Sequence, residues 1–338
     1  MTLPKTITAA VASTPKAPLE FKQFPMPTPS PGEVLVKILA CGVCHSDMGV
    51  INGEFGPLPR VPGHEFVGDV VQVGEGVTRV KLGDRVGGAW HGGHDNSCSS
   101  CAIGMFQCCT SAAVNGVTRD GGYATYTLLR AEAAVRIPAS MAPSAVAPLL
   151  CAGVTVFNSL RKLHVEQGAL VAVQGLGGLG HLAVQYARAM GYTVAAVSRG
   201  ESKREFAKKL GAEYYIDSSA EDVSSALMKL GGAAVIMCTA PSASAINPLI
   251  GGLAVKGTLL LLAVAFGVEI DAVQLIQRAA SIQGWPSGSQ CDTETAIAFA
   301  QRYGIKAMVE EFKLEQANEA LESMTQSKVR FRAVLVME

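Results

Sequence analysis

The chain carries no net charge: 28 lysines and arginines face 28 aspartates and glutamates over 338 residues. A neutral surface has no electrostatic footprint for a nucleic-acid backbone or an anionic membrane, so neither partner is expected. Long apolar runs are lacking too. The greasiest stretch, Thr258–Gly267 (TLLLLAVAFG), sits between Lys256 and Glu269. It falls well short of the ~20 residues of a membrane span and reads as a buried parallel strand. Met1–Ala10 has no apolar core of a signal peptide, so a cytoplasmic protein is expected. In that reducing setting the nine cysteines should serve metal sites or packing rather than disulfides. Heptads and fixed-period repeats are missing as well. What is present is an apolar fraction of 49% against 17% charged residues, enough to fill sizeable cores and to exclude general disorder. At roughly 150 residues per domain the length suggests two domains.

The texture changes along the chain. Up to about Val135, short β runs (Glu33–Ala40, Phe66–Val73, Arg85–Ala89) alternate with Gly- and Pro-rich loops, the pattern of a barrel-like fold with long functional loops. After about Val154, strands and helices alternate. Ala169–Gln174, Thr193–Val197, Glu213–Ile216, Ala233–Cys238 and Thr258–Val264 read as strands, Leu179–Met190 and Ser202–Leu210 as helices. This alternation predicts an α/β doubly wound parallel sheet. The tail, with a helix at Glu294–Tyr303 and a strand at Arg332–Met337, is expected to return to the N-terminal part. The expected domains are therefore 1–151 with 288–338, discontinuous in sequence, and 152–287.

Gln174–Gly180 reads Q-G-L-G-G-L-G, a G-x-G-x-x-G pattern at Gly175, Gly177 and Gly180 with Gly178 inside it. It follows a strand and opens a helix, the context of a dinucleotide-binding turn. There glycines permit a tight turn, close approach to a pyrophosphate and close helix packing. The residue closing the second strand selects the dinucleotide, because a carboxylate there bonds the ribose hydroxyls and repels a 2′-phosphate. Here Ser198 and Arg199 stand at that point, with Lys203 and Arg204 beyond. Lys203 and Arg204 could simply solvate a helix face; Arg199, at the strand end, points to NADP(H) ahead of NAD(H), with NAD(H) still open.

Two cysteine clusters remain. Cys41-Gly-Val-Cys44-His45-Ser46-Asp47 is followed by His64, within Gly63-His64-Glu65, and later by Cys151. Two thiolates and one imidazole would neutralise zinc and leave an open fourth position; a hydrogen-bonded core His is the competing reading of His64. The second cluster is Asp95, Cys98, Cys101 and Cys109, with Cys108, His91 and His94 as alternatives for one place. Closely spaced sulfur ligands on one loop can wrap a structural zinc.

With these residues in view, the chain resembles, essentially end to end, a zinc-dependent alcohol dehydrogenase of the medium-chain dehydrogenase/reductase superfamily, in its yeast-like and microbial branch. Gly63-His64-Glu65-x₂-Gly68-x₅-Gly74-x₂-Val77 fits the zinc signature of that family. The resemblance implies a GroES-like β-barrel catalytic domain beside a Rossmann domain. It implies catalytic zinc on Cys44, His64 and Cys151, with Asp47 orienting the histidine and Glu65 close to the metal. Ser46 corresponds to the hydroxyl that relays the substrate proton, and Thr155 to the residue against the nicotinamide. Arg332 corresponds to a pyrophosphate-binding arginine, and His45 to a basic residue near the same phosphates. It also implies a homo-oligomer, dimer or tetramer.

The chain departs from the family pattern in three places. Asp95 stands for the first structural-zinc cysteine, a substitution that preserves charge. Gly49 occupies the position of a histidine used for proton exit, which would leave His45, the cofactor ribose or water as the route. Ser198 replaces the ribose-binding aspartate.

The implied reaction is hydride transfer between a nicotinamide and a carbinol carbon, with an alcohol, aldehyde or ketone as the small-molecule partner. Phe55 and Trp90 are candidates for an apolar pocket or for core. The rivals are a zinc-free quinone or enoyl reductase of the same superfamily and an idle binding protein that keeps the fold. The complete Cys44, His64 and Cys151 set speaks against both.

Overall fold

A computed structural model describes residues 3–337; Met1 and Thr2, part of the stretch read for a signal peptide, and Glu338, at the outer domain limit, lie outside the described residues. The chain divides into two compact units. One comprises Met1–Val154, Ser287–Phe299 and Lys306–Glu338, the other Thr155–Pro286 and Ala300–Ile305. These limits differ by up to a few residues from the breaks read at 151/152 and 287/288, and the end of one helix is counted with the second unit.

The first unit is built on the ten-residue strand Glu33–Gly42, whose inward positions Val34, Val36 and Ile38 are fully buried. It pairs antiparallel with Phe66–Val73 and with Tyr126–Arg130. Its last residues pair with the C-terminal strand Arg332–Val336, Val334 opposite Gly42. Val309–Lys313, Arg85–Gly88 and Val135–Arg136 complete this sheet. Register shifts at Leu35/Val36 and Ile38/Ala40 break the alternation and bend the strand, which carries it from the core to the edge of the site at Gly42. The core gathers Val36, Phe66, Val86, Tyr123, Leu129 and Leu335.

The second unit holds six parallel strands in the order Tyr214–Asp217, Thr193–Ser198, Leu170–Gln174, Ala233–Cys238, Leu253–Leu261, Ser281–Gly284. The order reverses between the third and fourth of these, and such switch points bind ligands at the carboxyl ends of the strands. Helix Gly180–Ala189 begins there, directly after the glycine-rich turn.

Two element readings need correction. The apolar run Thr258–Gly267 is a strand only as far as Leu261, and Val264 and Phe266 are 65% and 89% exposed. Leu261 pairs with Cys238 and Gly284, where both neighbouring strands end, so the residues beyond have no ladder to join. The helix expected at Glu294–Tyr303 starts at Gln290. Ser289 Oγ accepts the Asp292 backbone N–H at 3.3 Å while Asp292 accepts the Ser289 N–H at 3.0 Å, a reciprocal N-cap. No single helix among the described residues is long and apolar enough to cross a membrane.

Candidate active site

Cys44 is the N-cap of helix His45–Ile51, in extended backbone (φ −118°, ψ 151°). The sequence Cys-His-Ser-Asp produces this start, because Asp47 at the third helical position reaches back and accepts the Cys44 backbone N–H at 2.9 Å. The cap turns the Cys44 thiol inward, leaving His45 exposed and Ser46 half-buried on the first turn. Cys151 follows the short helical turn Ala147–Leu150, and its Sγ lies 4.0 Å from that of Cys44. His64 and Glu65 directly precede strand Phe66–Val73.

One ligand atom from each of Cys44, His64, Glu65 and Cys151 falls within 4.8 Å of the others. The imidazole is 1% exposed and donates from Nδ1 to Asp47 Oδ1 at 3.0 Å, while its Nε2 is buried with no hydrogen-bond partner. A buried imidazole nitrogen left bare beside two thiols costs free energy unless a metal takes it, and a carboxylate on the other nitrogen is the usual support of a metal-bound histidine. Soft sulfur plus imidazole is a zinc donor set, so these residues fit the ion. With Nδ1 bonded to Asp47 and Nε2 bare, His64 is only half satisfied as a core histidine.

The electrostatic shifts at these groups run in both directions. The hydrogen bond from Cys151 holds the Cys44 thiol well below its ordinary range against the effect of burial, with the charge of His64 adding. Cys151 is pushed up by the same bond and by burial. Burial opposes a charge on His64, but Asp47 and Cys44 outweigh it and raise the ring well above its usual value. Burial pushes Glu65 up to about 7 against the pull of Arg332. Arg332 opens the last strand. Its guanidinium is ion-paired with both Glu65 oxygens, at 2.6 Å to Oε2, and its Nε has no hydrogen-bond partner. Space for the pair comes from Gly42, where a Cβ would fall on the Glu65 carboxylate. Trp90 stands edge-on to His64, ring centres 5.0 Å apart. Phe55 instead covers Gly49: a Cβ there would lie 2.5 Å from the phenyl ring. Gly49 and the aromatic are thus one packing arrangement, where the sequence shows only a departure at Gly49 and, separately, Phe55 as a candidate for pocket or core.

In the second cluster, Asp95, Cys98, Cys101 and Cys109 bring one ligand atom each within 4.8 Å of one another. Asp95 Oδ1 accepts the Ser97 N–H at 2.8 Å and the Cys101 thiol at 3.6 Å. The Ser97 N–H holds its carboxyl well below the usual range. The alternatives fall away. Cys108 is exposed and outside the group, while His91 and His94 bond each other, Nε2 to Nδ1, at 3.0 Å.

In the second unit, Gly175 takes φ +91°, and a Cβ on Gly180 would collide with the Gly175 carbonyl, so the first and third glycines are required by the turn. Gly177 is open on its Cβ side, as close approach of a ligand needs. Ser198 is buried at the end of its strand and Arg199 is exposed. Lys203 does more than solvate a helix: its Nζ donates to the Leu176 carbonyl of the glycine-rich loop at 3.1 Å. Arg204 is engaged by Glu201 and lies over the Tyr215 ring at 4.7 Å. Sequence reading missed Asp217, which the parallel register sets opposite Ser198. It accepts from the Gly200 N–H at 2.8 Å and from Ser219 N–H and Oγ at 2.8 and 2.6 Å. Thr155, on helix Ala152–Arg161, is buried.

Residues 30–139 match the alcohol dehydrogenase GroES-like domain family and residues 178–328 the zinc-binding dehydrogenase family. An alcohol dehydrogenase of Penicillium expansum, patD, is 52% identical over 337 residues, 99% of each chain. The chain belongs to the zinc-binding alcohol dehydrogenase family. Its fold matches those of two solved members of this superfamily. The acetophenone reductase of Geotrichum candidum in complex with NAD is 28% identical over 100% of this chain and 99% of that one, with a TM-score of 0.89. The CAD of Helicobacter pylori complexed with NADP(H) is 25% identical over 98% of both chains, with a TM-score of 0.87. This dehydrogenase therefore has the Rossmann and GroES-like architecture its motifs imply, and neither the zinc-free reductase nor the idle binding protein is favoured.

Proposed function

We propose that this dehydrogenase interconverts small primary or secondary alcohols with aldehydes or ketones, using a catalytic zinc on Cys44, His64 and Cys151 and NADP(H) in preference to NAD(H). The observation that carries the reading is the buried, partnerless Nε2 of His64 facing two thiols. When bound, zinc supplies Lewis-acid polarisation of a substrate oxygen and the nicotinamide supplies or takes the hydride. The chain does the rest. Cys44 and Cys151 provide the thiolates, Asp47 sets the tautomer of His64, and Trp90 closes one side of the site with an apolar ring. Ser46 Oγ, half-buried on the first helical turn, relays the hydroxyl proton of an alcohol, accepting it while giving up its own, and exposed His45 lies next to it in the chain as one acceptor for passage outward. Glu65 is held by Arg332; the pyrophosphate role of Arg332 and the nicotinamide role of Thr155 rest on the resemblance alone.

Asp95, Cys98, Cys101 and Cys109 form a second, structural site in this reading. Metal analysis should find about two zincs per chain, and Asp95→Ala about one, with a lower melting temperature. Protein stripped of metal should lose turnover on a panel of alcohols and aldehydes. One zinc per chain with a neutral Asp95→Ala would leave the loop metal-free, and full activity without metal would sink the catalytic assignment.

A homo-oligomer fits the second unit. Ser281–Gly284 is one of the two edge strands of its sheet, and exposed Phe266, Val273 and Ile276 lie on the segments leading into it. An open strand edge with apolar neighbours is a template for a second copy in two-fold symmetry. Sedimentation should find a dimer or tetramer, and Ile276→Glu with Phe266→Glu should shift it toward monomer. A monomeric wild type at micromolar concentration overturns this assignment. The cytoplasmic setting expected from the sequence would be checked by fractionation of the native cells.

A further inference from the structure

The carboxylate of Asp47 holds more donors than its contact with His64 accounts for. Oδ1 accepts from His64 Nδ1, while Oδ2 accepts both the Cys44 backbone N–H and the Tyr123 hydroxyl, each at 2.9 Å. Asp47 is 1% and Tyr123 0% exposed, so water does not compete for these bonds. Tyr123 reaches the same histidine by a second route. Its ring lies against Gly63, which takes φ +99° and where a Cβ would fall on the ring and on Cys41 Sγ. The Tyr123 N–H donates to the Pro62 carbonyl at 3.0 Å, and the Gly122 N–H to that of Gly63 at 2.8 Å. The segment thus grips the backbone in front of His64, and the phenol grips the acid behind it.

We propose that Tyr123 is a positioning residue for the metal centre: its hydroxyl, through Asp47, fixes the His64 ring so that Nε2 faces the place shared with the Cys44 and Cys151 thiols. The inference rests on the zinc assignment above. The physical reason is rotational. A carboxylate held only through Oδ1 can turn about its Cβ–Cγ bond and carry the imidazole with it; the two donors on Oδ2 oppose that rotation, and Tyr123 supplies one of them, the one whose loss loosens it. Burial and the charge of Asp47 push the phenol well above its usual range, so it remains a donor at any working pH. Partners one step behind a metal ligand change metal affinity by about 10- to 100-fold, and Tyr123 stands one step further back.

Tyr123→Phe keeps the ring on Gly63 and deletes only the O–H. The test measures, on the full chain, the rate at which a chelator withdraws the zinc that Cys44→Ala lacks, and the ligand-field spectrum of the cobalt-substituted protein. Tyr123→Phe should release that zinc about tenfold faster and shift the cobalt spectrum, and the same change should add nothing in an Asp47→Ala background. Release at the wild-type rate with an unchanged spectrum overturns the proposal. So does an equal acceleration with and without Asp47, which would place the effect in packing alone. If wild type and Cys44→Ala hold the same zinc, the assignment of the site itself fails and this inference with it.

Discussion

Replacing Cys44 by alanine should lower kcat/KM by about three orders of magnitude or more while dinucleotide binding persists. Lewis-acid polarisation of a reacting oxygen is worth several kcal/mol, and each ~1.36 kcal/mol of lost transition-state stabilisation is tenfold in rate. The substitution removes one of two thiolates, and Glu65 is poorly placed to replace it because both of its oxygens are held by Arg332. The cap is not the casualty, since Asp47 accepts the backbone N–H of residue 44 rather than its side chain. The glycine-rich turn belongs to the other unit, so titration with reduced cofactor, followed by nicotinamide fluorescence, should give an unchanged Kd. Undiminished turnover in this variant would refute the catalytic zinc. Loss of both turnover and cofactor binding would instead indicate a folding defect.

Arg199→Ala should cut kcat/KM with NADPH about tenfold or more and leave NADH nearly unaffected. Without the ribose-binding aspartate, Ser198 offers no repulsion to a 2′-phosphate. Among the nearby cations, Arg204 is committed to Glu201 and Tyr215, and Lys203 to the Leu176 carbonyl. Arg199 is the exposed guanidinium at the strand end. A charge-assisted bond of this kind contributes roughly 1.5–3 kcal/mol, about one to two decades of preference. Asp217 brings a carboxylate near this turn, and its Oδ1 accepts the Gly200 and Ser219 donors, which tie it to the loop. Comparison of kcat/KM for the two cofactors in wild type and variant decides the matter. A wild type that prefers NADH would overturn the NADP(H) assignment and leave the zinc argument standing.

Local pattern was sufficient wherever chemistry and backbone conformation are encoded within a few neighbouring residues. The turn at Gly175–Gly180 is legible because the need for positive φ at Gly175 and for a missing Cβ at Gly180 leaves a spacing that few other structures produce. The cap at Cys44 is equally local, built by Asp47 three residues on, although sequence reading assigns Asp47 only its role behind the histidine. The parallel sheet follows from strand and helix periods alternating after Val154.

Tertiary structure decided what depends on residues far apart in the chain. Four of seven candidates form the second cluster because the loop packs His91 against His94 and turns Cys108 outward. Asp217 meets Ser198 only through strand register, and Tyr123 meets Asp47 only because Gly63 lets its ring lie close. The run after Leu261 is exposed despite its composition because the neighbouring strands stop there. Hydrophobicity sets a tendency to be buried, but a strand extends only as far as its partners do. Short-range sequence therefore determined which groups could do this chemistry, and long-range packing decided which of them meet.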